Sequence, residues 1–141
     1  KGSYKWLNLY KYKQRNRCMQ TLKKNGYQIA VASPHATQSL SSLDLSQKTA
    51  FYMGSETLGN HADTLAQSDI QFSIPQFGLT ESLNVSVCAG VIMSFLSGWL
   101  ASKGREKYTL SVAETLQLKA DFYERSALGT ENNSPLAIIS E

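Results

Sequence analysis

Apolar and polar positions along this chain alternate with two different periods, and the changes of period mark out its elements. Trp6-Leu7-Asn8-Leu9-Tyr10 alternates weakly and carries aromatic residues, which predicts a strand. Asn16 stands where a cap belongs for a helix from about Arg17 to Asn25, with Cys18, Leu22 and Met19 on its buried face and Gly26 as its left-handed stop. Tyr27-Gln28-Ile29-Ala30-Val31-Ala32 is a second strand, ended by Ser33-Pro34. Strand, helix and strand in so short a span is the pattern of a parallel α/β unit.

A Ser-rich polar loop, residues 38–47, leads to Thr49-Ala50-Phe51-Tyr52-Met53, a third strand so nearly apolar that both its faces are expected to be covered, as in parallel sheets. It runs into Gly54-Ser55-Glu56-Thr57-Leu58-Gly59-Asn60, where Asn60 is placed to cap a short helix over residues 61–66. Ile70-Gln71-Phe72-Ser73-Ile74 alternates as a fourth strand. The carboxyl ends of this sheet therefore carry loops at residues 32–35, 54–60 and 74–84, and open parallel sheets bind ligands at those ends.

The last of these loops runs without a break into a helix from about Leu83 to Ala101, so its polar groups crowd an electropositive helix N-terminus suited to electron-rich ligand atoms. That helix is apolar on nearly every side and needs more than one partner: one face lies on the sheet, and the other suggests a subunit interface. Its apolar run is shorter than the roughly 20 residues of a membrane span, and Ser86, Gly90, Ser94, Ser97 and Gly98 interrupt it. With no charged n-region and apolar h-region at the front, the pattern predicts a soluble, cytoplasmic protein. Lys103-Gly104-Arg105-Glu106-Lys107 is a polar linker, and Ser111-x-x-Glu114 has the form of a capping box opening a last helix. Val112, Leu116, Ala120, Tyr123 and Ala127 share one face of it; from Gly129 onward the chain reads as a tail until the apolar Leu136-Ala137-Ile138-Ile139.

Composition changes the picture in one respect. A net charge of +3 on 141 residues is modest, but residues 1–25 hold eight basic side chains and no acidic one, leaving six basic against eleven acidic in the remainder. Tyr4, Trp6, Tyr10 and Tyr12 are interleaved with this charge. Cations for phosphates beside aromatic faces for bases are what RNA-binding surfaces use, with a solvated strand and helix face as the plainer alternative. Lys11, Lys13, Arg15 and Arg17 are the phosphate candidates. Cys18 and Cys88 form no C-x-x-C pair and only His35 and His61 stand besides them, so no metal site is expected.

Taken alone, Gly54-Ser55-Glu56-x-x-Gly59 is a strand-to-helix turn needing glycine, without the spacing of a dinucleotide fingerprint or the Lys of a phosphate loop. Ser55 lacks a nucleophile elbow, Cys88 reads as a core residue, and His61 reads as a surface one. The combination says more. Tyr52-Met53-Gly54-Ser55-Glu56-x-x-Gly59 followed by Ile74-Pro75-x-x-Gly78-x-x-x-Ser82-Leu83-Asn84-Val85-Ser86-Val87-x-Ala89-Gly90 strongly resembles motifs 2 and 3 of the SpoU/TrmH family of RNA ribose 2′-O-methyltransferases, in the SPOUT class. Gly2-Ser3-x-x-Trp6 and Val31-Ala32-Ser33-Pro34 are similar to that family too, so the likeness spans residues 1 to about 100. The last helix, with Phe122-Tyr123-x-Arg125-Ser126, is similar to the C-terminal extension of tRNA-modifying members.

The resemblance implies an α/β fold with a SPOUT-type parallel sheet flanked by helices and a C-terminal trefoil knot, in a homodimer built through the helix from Leu83 to Ala101. It implies residues 1–102 as the C-terminal part of the methyltransferase domain and residues 103–141 as linker, helical extension and tail. It further implies S-adenosyl-L-methionine as cofactor, held by backbone groups at Ala32, Ser33, Gly54, Ile74, Gln76 and Leu83, with Glu56, Ser82 and Asn84 at positions tied to activity. The expected reaction is methylation of a ribose 2′-hydroxyl, in a tRNA guanosine ahead of ribosomal RNA; a non-catalytic RNA- or cofactor-binding module is the alternative. The family's motif 1, with an Asn and an Arg, has no counterpart from Lys1 onward, so the group that activates the hydroxyl, and the strands that complete the knot, are expected in a segment preceding Lys1.

Overall fold

The computed structural model describes residues 7–55, 58–79, 82–103, 109–127 and 136–138, the last of these as backbone alone. In chain order the elements are β1 (Leu9–Lys11), α1 (Arg15–Lys24), β2 (Gln28–Ala32), a 3₁₀ turn (Leu40–Ser42), β3 (Thr49–Tyr52), α2 (Ala62–Gln67), β4 (Ile70–Phe72), α3 (Val85–Ser102), α4 (Val112–Ala127) and β5 (Leu136–Ile138). They divide into two compact units, Asn16–Gly104 on the one hand and Lys1–Arg15 with Arg105–Glu141 on the other.

The larger unit is a parallel three-stranded sheet in the order β3-β2-β4. Its central strand is short and apolar, and Ile29, Ala30 and Val31 are all fully buried. Successive side chains of a strand point to opposite faces, and here they feed two separate clusters. Ala30 joins Leu40, Leu43, Leu45, Phe72 and Ile92, with Phe95, Leu96 and Trp99 of α3 packed around them. Ile29 and Val31 join Met19 of α1, with Leu22, Tyr52 and Leu65 at the edge. Phe51 and Phe72 meet edge to face with ring centroids 5.6 Å apart. Burial of an Ile or Phe side chain stabilises by about 1.5–3 kcal/mol, so these two layers hold the sheet between helices. The expected parallel α/β architecture is the observed one.

Several boundaries differ from the sequence expectation, each for a local reason. Helix α1 begins at Arg15, so Asn16 lies inside its first turn rather than capping it, and its Oδ1 accepts from Gln67 Nε2 at 3.4 Å. Its end is as expected: Gly26 takes φ +78, and the Tyr27 N–H donates to the Leu22 carbonyl at 3.1 Å. Helix α2 is capped by the backbone at His61 with no side-chain bond, so Asn60 is not its cap. Helix α3 starts at Val85, because Asn84 Oδ1 accepts from the Ser86 N–H at 2.9 Å and closes the helix there.

Only one side of α3 packs on the sheet. Val87 and Val91 are exposed, and a Cβ added at Gly90 or Gly98 would meet nothing within 4 Å. By length and composition α3 is apolar enough to cross a membrane, but its Ile92, Phe95, Leu96 and Trp99 side belongs to the domain core.

In the smaller unit the capping box forms as its spacing predicts. The Ser111 N–H and hydroxyl donate to Glu114 Oε2 at 2.8 and 2.7 Å, and the Glu114 N–H donates to Ser111 Oγ at 3.2 Å. The Ser111 hydroxyl, then its N–H, hold the Glu114 carboxyl below its usual range. The apolar run at which the tail was expected to stop contains a strand: β5 pairs in parallel with β1, Leu9 opposite Leu136 and Lys11 opposite Ile138. A strand of three residues gives too short a pattern to be separated from an apolar tail by sequence. Arg125 of α4 donates to the Leu7 carbonyl at 3.3 Å and to Asn8 Oδ1 at 2.9 Å.

Candidate functional site

The three strands of the sheet end side by side, with Val31 opposite Tyr52 and Ala32 opposite Phe72, so the loops that follow leave from one edge. After β2 the chain turns at once: the Ser33 N–H donates to the Phe72 carbonyl at 2.8 Å and the Ala36 N–H to the Ser33 carbonyl at 3.2 Å. Returning past β4, it forms a bridge between Ser39 and Ser73, in which the Ser73 N–H donates to the Gln38 carbonyl at 2.8 Å.

The loop after β3 folds back on itself. Ser55 and Gly59 exchange backbone hydrogen bonds at 3.0 and 2.9 Å, and the Leu58 N–H donates to Ser55 Oγ at 3.1 Å. This closure presses the returning chain onto Gly54. A Cβ there would lie 2.4 Å from the Gly59 carbonyl carbon and 2.8 Å from the Asn60 nitrogen, so no larger residue fits without moving backbone. Asn60 then reaches across to β2, its Nδ2 donating to the Ala32 carbonyl at 2.7 Å.

After β4, Ile74 packs half-buried against the core. Gln76 is also half-buried, and its Oε1 is enclosed without a hydrogen-bond partner. Phe77 and Leu79 stand fully exposed. Ser82 is exposed, Leu83 half-buried, and Asn84 sits at the α3 N-terminus.

The structure thus brings Ala32, Ser33 and Gly54 to one side of the sheet edge and links them through Asn60, while Ile74 and Gln76 leave the same edge from β4. The Ser33 N–H and one side of the Ala32 carbonyl are already engaged within the fold, which leaves fewer free backbone groups there than the sequence suggests. Glu56 lies outside the described residues. Lys11 and Lys13 are exposed and Arg15 is half-buried in the smaller unit; Arg17 is exposed on α1. No group of three or more His, Cys, Asp or Glu gathers among the described residues, and burial pushes the Cys18 thiol up. At this edge the sequence misplaces Asn60, whose partner Ala32 lies 28 residues away and leaves no local signal.

An open parallel sheet whose strand-end loops leave from one edge is a domain of the α/β class, and that edge is where such sheets bind ligands. Within that class the chain belongs to the SpoU rRNA methylase family, whose model matches residues 1–94. It is 34% identical over 125 residues to the tRNA (guanosine(18)-2′-O)-methyltransferase of Borreliella burgdorferi, covering 88% of this chain and 57% of that protein. It is 36% identical over 78 residues to a 23S rRNA (guanosine-2′-O-)-methyltransferase of Neisseria meningitidis, covering 55% of this chain and 31% of that one. The crystal structure of the A. aeolicus TrmH/SpoU tRNA modifying enzyme superimposes with a TM-score of 0.74 at 28% identity, covering 87% of this chain and 64% of the other. The chain spans 57% and 59% of the length of two tRNA relatives and less than half of two others.

Proposed function

We propose that this chain is the cofactor-binding part of an enzyme that methylates a ribose 2′-hydroxyl in tRNA, at a guanosine, using S-adenosylmethionine. One observation carries the choice of tRNA: the likeness to the Borreliella burgdorferi enzyme runs through 125 residues and therefore beyond the family match at residue 94, whereas the likeness to the ribosomal RNA enzyme spans 78. The C-terminal helix is thus part of what this chain shares with a tRNA enzyme.

The residues present fit an adenosyl ligand. Gln76 Oε1 is buried and unpartnered in the loop after β4, and a buried acceptor that the fold leaves unused suits an exocyclic amine. Backbone groups at Ala32, Ser33, Gly54, Ile74, Gln76 and Leu83 read the remaining polar atoms. When bound, S-adenosylmethionine supplies an electrophilic methyl group on a sulfonium.

Asn84 and Ser82, at the start of α3, orient the acceptor hydroxyl, and the electropositive helix end favours the negative charge that develops on its oxygen. Glu56 belongs to the same constellation by its place in the motif. Holding the reacting atoms in line supplies much of the acceleration. The proton of the hydroxyl is taken by a base of the whole protein. Lys11, Lys13, Arg15 and Arg17 contact phosphates, and residues 103–141 extend the RNA surface beyond residues 1–102. A second copy covers the open side of α3, the knot is completed in the whole protein, no metal takes part, and the enzyme works in the cytoplasm.

The test is transfer of labelled methyl from S-adenosylmethionine by the full-length protein to a tRNA transcript. Label is expected in tRNA and absent when the target guanosine already carries a 2′-O-methyl group. Label entering ribosomal RNA but not tRNA would move the substrate; label entering neither, with cofactor bound, would leave a binding module.

A further inference from the structure

We propose that Asn60 is a positioning residue of the cofactor site, a strut that fixes the loop after β2 against the loop after β3. The inference rests on the reading of this edge as the S-adenosylmethionine site and names a residue that the motif itself leaves unassigned. The β2–β3 ladder ends at the pair Val31 and Tyr52. Beyond it the Ser33 N–H bonds toward β4, so the main chain holds the loop after β2 on that side alone. Among the described residues, the hydrogen bond joining it to the other loop is Asn60 Nδ2 to the Ala32 carbonyl, 2.7 Å. Asn60 is itself held in place, because its backbone lies against Gly54 and follows the closed Ser55–Gly59 bridge. Gly54, Asn60 and Ala32 are therefore one mechanical series, with a proposed cofactor contact at each end.

Stability does not explain the amide. Asn60 Oδ1 is buried without a partner, so the side chain gains one hydrogen bond and leaves one acceptor stranded. An unmade buried bond costs at least as much as a made one returns, and an apolar residue of the same shape would remove the stranded Oδ1 while taking this donor from the half-buried Ala32 carbonyl, so the two effects oppose each other. Nor does Asn60 cap α2, which starts at His61 without side-chain help. What the amide adds is direction: it aims the Ala32 carbonyl and sets the gap between the two loops.

Asn60→Leu keeps the shape and removes the bond; Asn60→Asp keeps the size and the acceptor and removes the donor. In the full-length protein each is measured by calorimetry with S-adenosylhomocysteine and by steady-state methylation of tRNA. The loss of one neutral hydrogen bond predicts a dissociation constant and a cofactor KM about two- to tenfold higher for Asn60→Leu, and higher again for Asn60→Asp, whose carboxylate faces the Ala32 carbonyl. The KM for tRNA and kcat stay within about twofold, and the melting temperature of Asn60→Leu stays close to that of the parent, because the loss at the Ala32 carbonyl and the removal of the stranded Oδ1 oppose each other. If Asn60→Leu does not fold, Asn60→Asp decides. Unchanged cofactor binding in a folded variant overturns the proposal alone, as does an equal loss in cofactor KM, tRNA KM and kcat. Failure of the parent to bind S-adenosylhomocysteine overturns the reading of the site and this proposal with it.

Discussion

Asp69 and Ile29 bind each other in both directions: the Asp69 N–H donates to the Ile29 carbonyl at 3.0 Å, and the Ile29 N–H donates to Asp69 Oδ2 at 2.8 Å. Ile29 is fully buried in the central strand, and β4 begins its own pairing one residue later, Ala30 opposite Ile70. The carboxylate thus completes a ladder that the short strand leaves unfinished. Lys23 of α1 donates to the other oxygen at 3.0 Å. Removing the carboxylate in Asp69→Ala orphans a buried N–H and is expected to cost about 1–3 kcal/mol in urea unfolding at neutral pH.

That contribution depends on pH in a fixed direction. The Ile29 N–H, more than the Lys23 ammonium, holds the Asp69 carboxyl below its ordinary value against a smaller opposing effect of burial. A carboxyl whose folded pKa is depressed contributes stability that is fully present above its unfolded pKa and lost as pH falls through the folded one. The gap in stability between the parent and Asp69→Ala should therefore be constant near neutrality and narrow below about pH 4. A gap that stays constant down to pH 2 would show that the charge of Asp69 does not contribute.

At Gly54 the prediction is steric. Alanine there places a methyl 2.4 Å from the Gly59 carbonyl carbon and 2.7 Å from its oxygen, and both contacts are backbone. The Ser55–Gly59 closure has to open, at a cost of about 1–3 kcal/mol. Thermal melting of Gly54→Ala should fall, and binding of S-adenosylhomocysteine should weaken at least tenfold, because the closure carries Asn60. Full cofactor affinity in Gly54→Ala would mean that the closed turn is not the binding form.

How much of this was legible follows the range of each interaction. Asn84, Ser111 and Glu114 were readable because a cap acts over two or three residues, and β3 because a nearly apolar strand needs cover on both faces, which Phe51 and Tyr52 find in the two clusters. Asn16 and Asn60 were misread by the same rule: each was expected to cap a helix, yet Asn16 lies inside α1 and bonds to Gln67, and Asn60 bonds to Ala32. No local pattern encodes a partner 28 residues away. β5 escaped for a related reason, since its pairing with β1 joins opposite ends of the chain. At the site, the glycines and the motif spacing placed the loops, while the orphaned Gln76 Oε1 is a property of enclosure that sequence does not carry.

Asn84 has two separable duties. Its Oδ1 caps α3 through the Ser86 N–H, and by the proposed function its side chain also orients the RNA hydroxyl. Asn84→Asp keeps an acceptor for the cap and Asn84→Ala does not, so the alanine variant alone should lose about 1 kcal/mol of stability. Methyl transfer should fall at least tenfold in both, because neither retains the amide donor. If Asn84→Asp transfers methyl at the parent rate, Asn84 acts only as a cap.

The open side of α3 gives the last prediction. Opposite the core face of Ile92, Phe95, Leu96 and Trp99, the helix presents Val87, Gly90, Ser94, Gly98 and Ala101 at helical spacing. All five are exposed, and small residues in such a row let another helix approach closely. Under the proposed dimer this row is the buried centre of the contact. Ser94→Arg puts a long cation there; the monomer tolerates it because the position is exposed, whereas the dimer has to bury the charge or part. Sedimentation equilibrium of the full-length protein should show a dimer, and Ser94→Arg should raise its dissociation constant about a hundredfold or more, with the circular dichroism of the monomer unchanged. If Ser94→Arg dimerises as tightly as the parent, the second copy sits elsewhere and the apolar side of α3 is covered by another part of the protein.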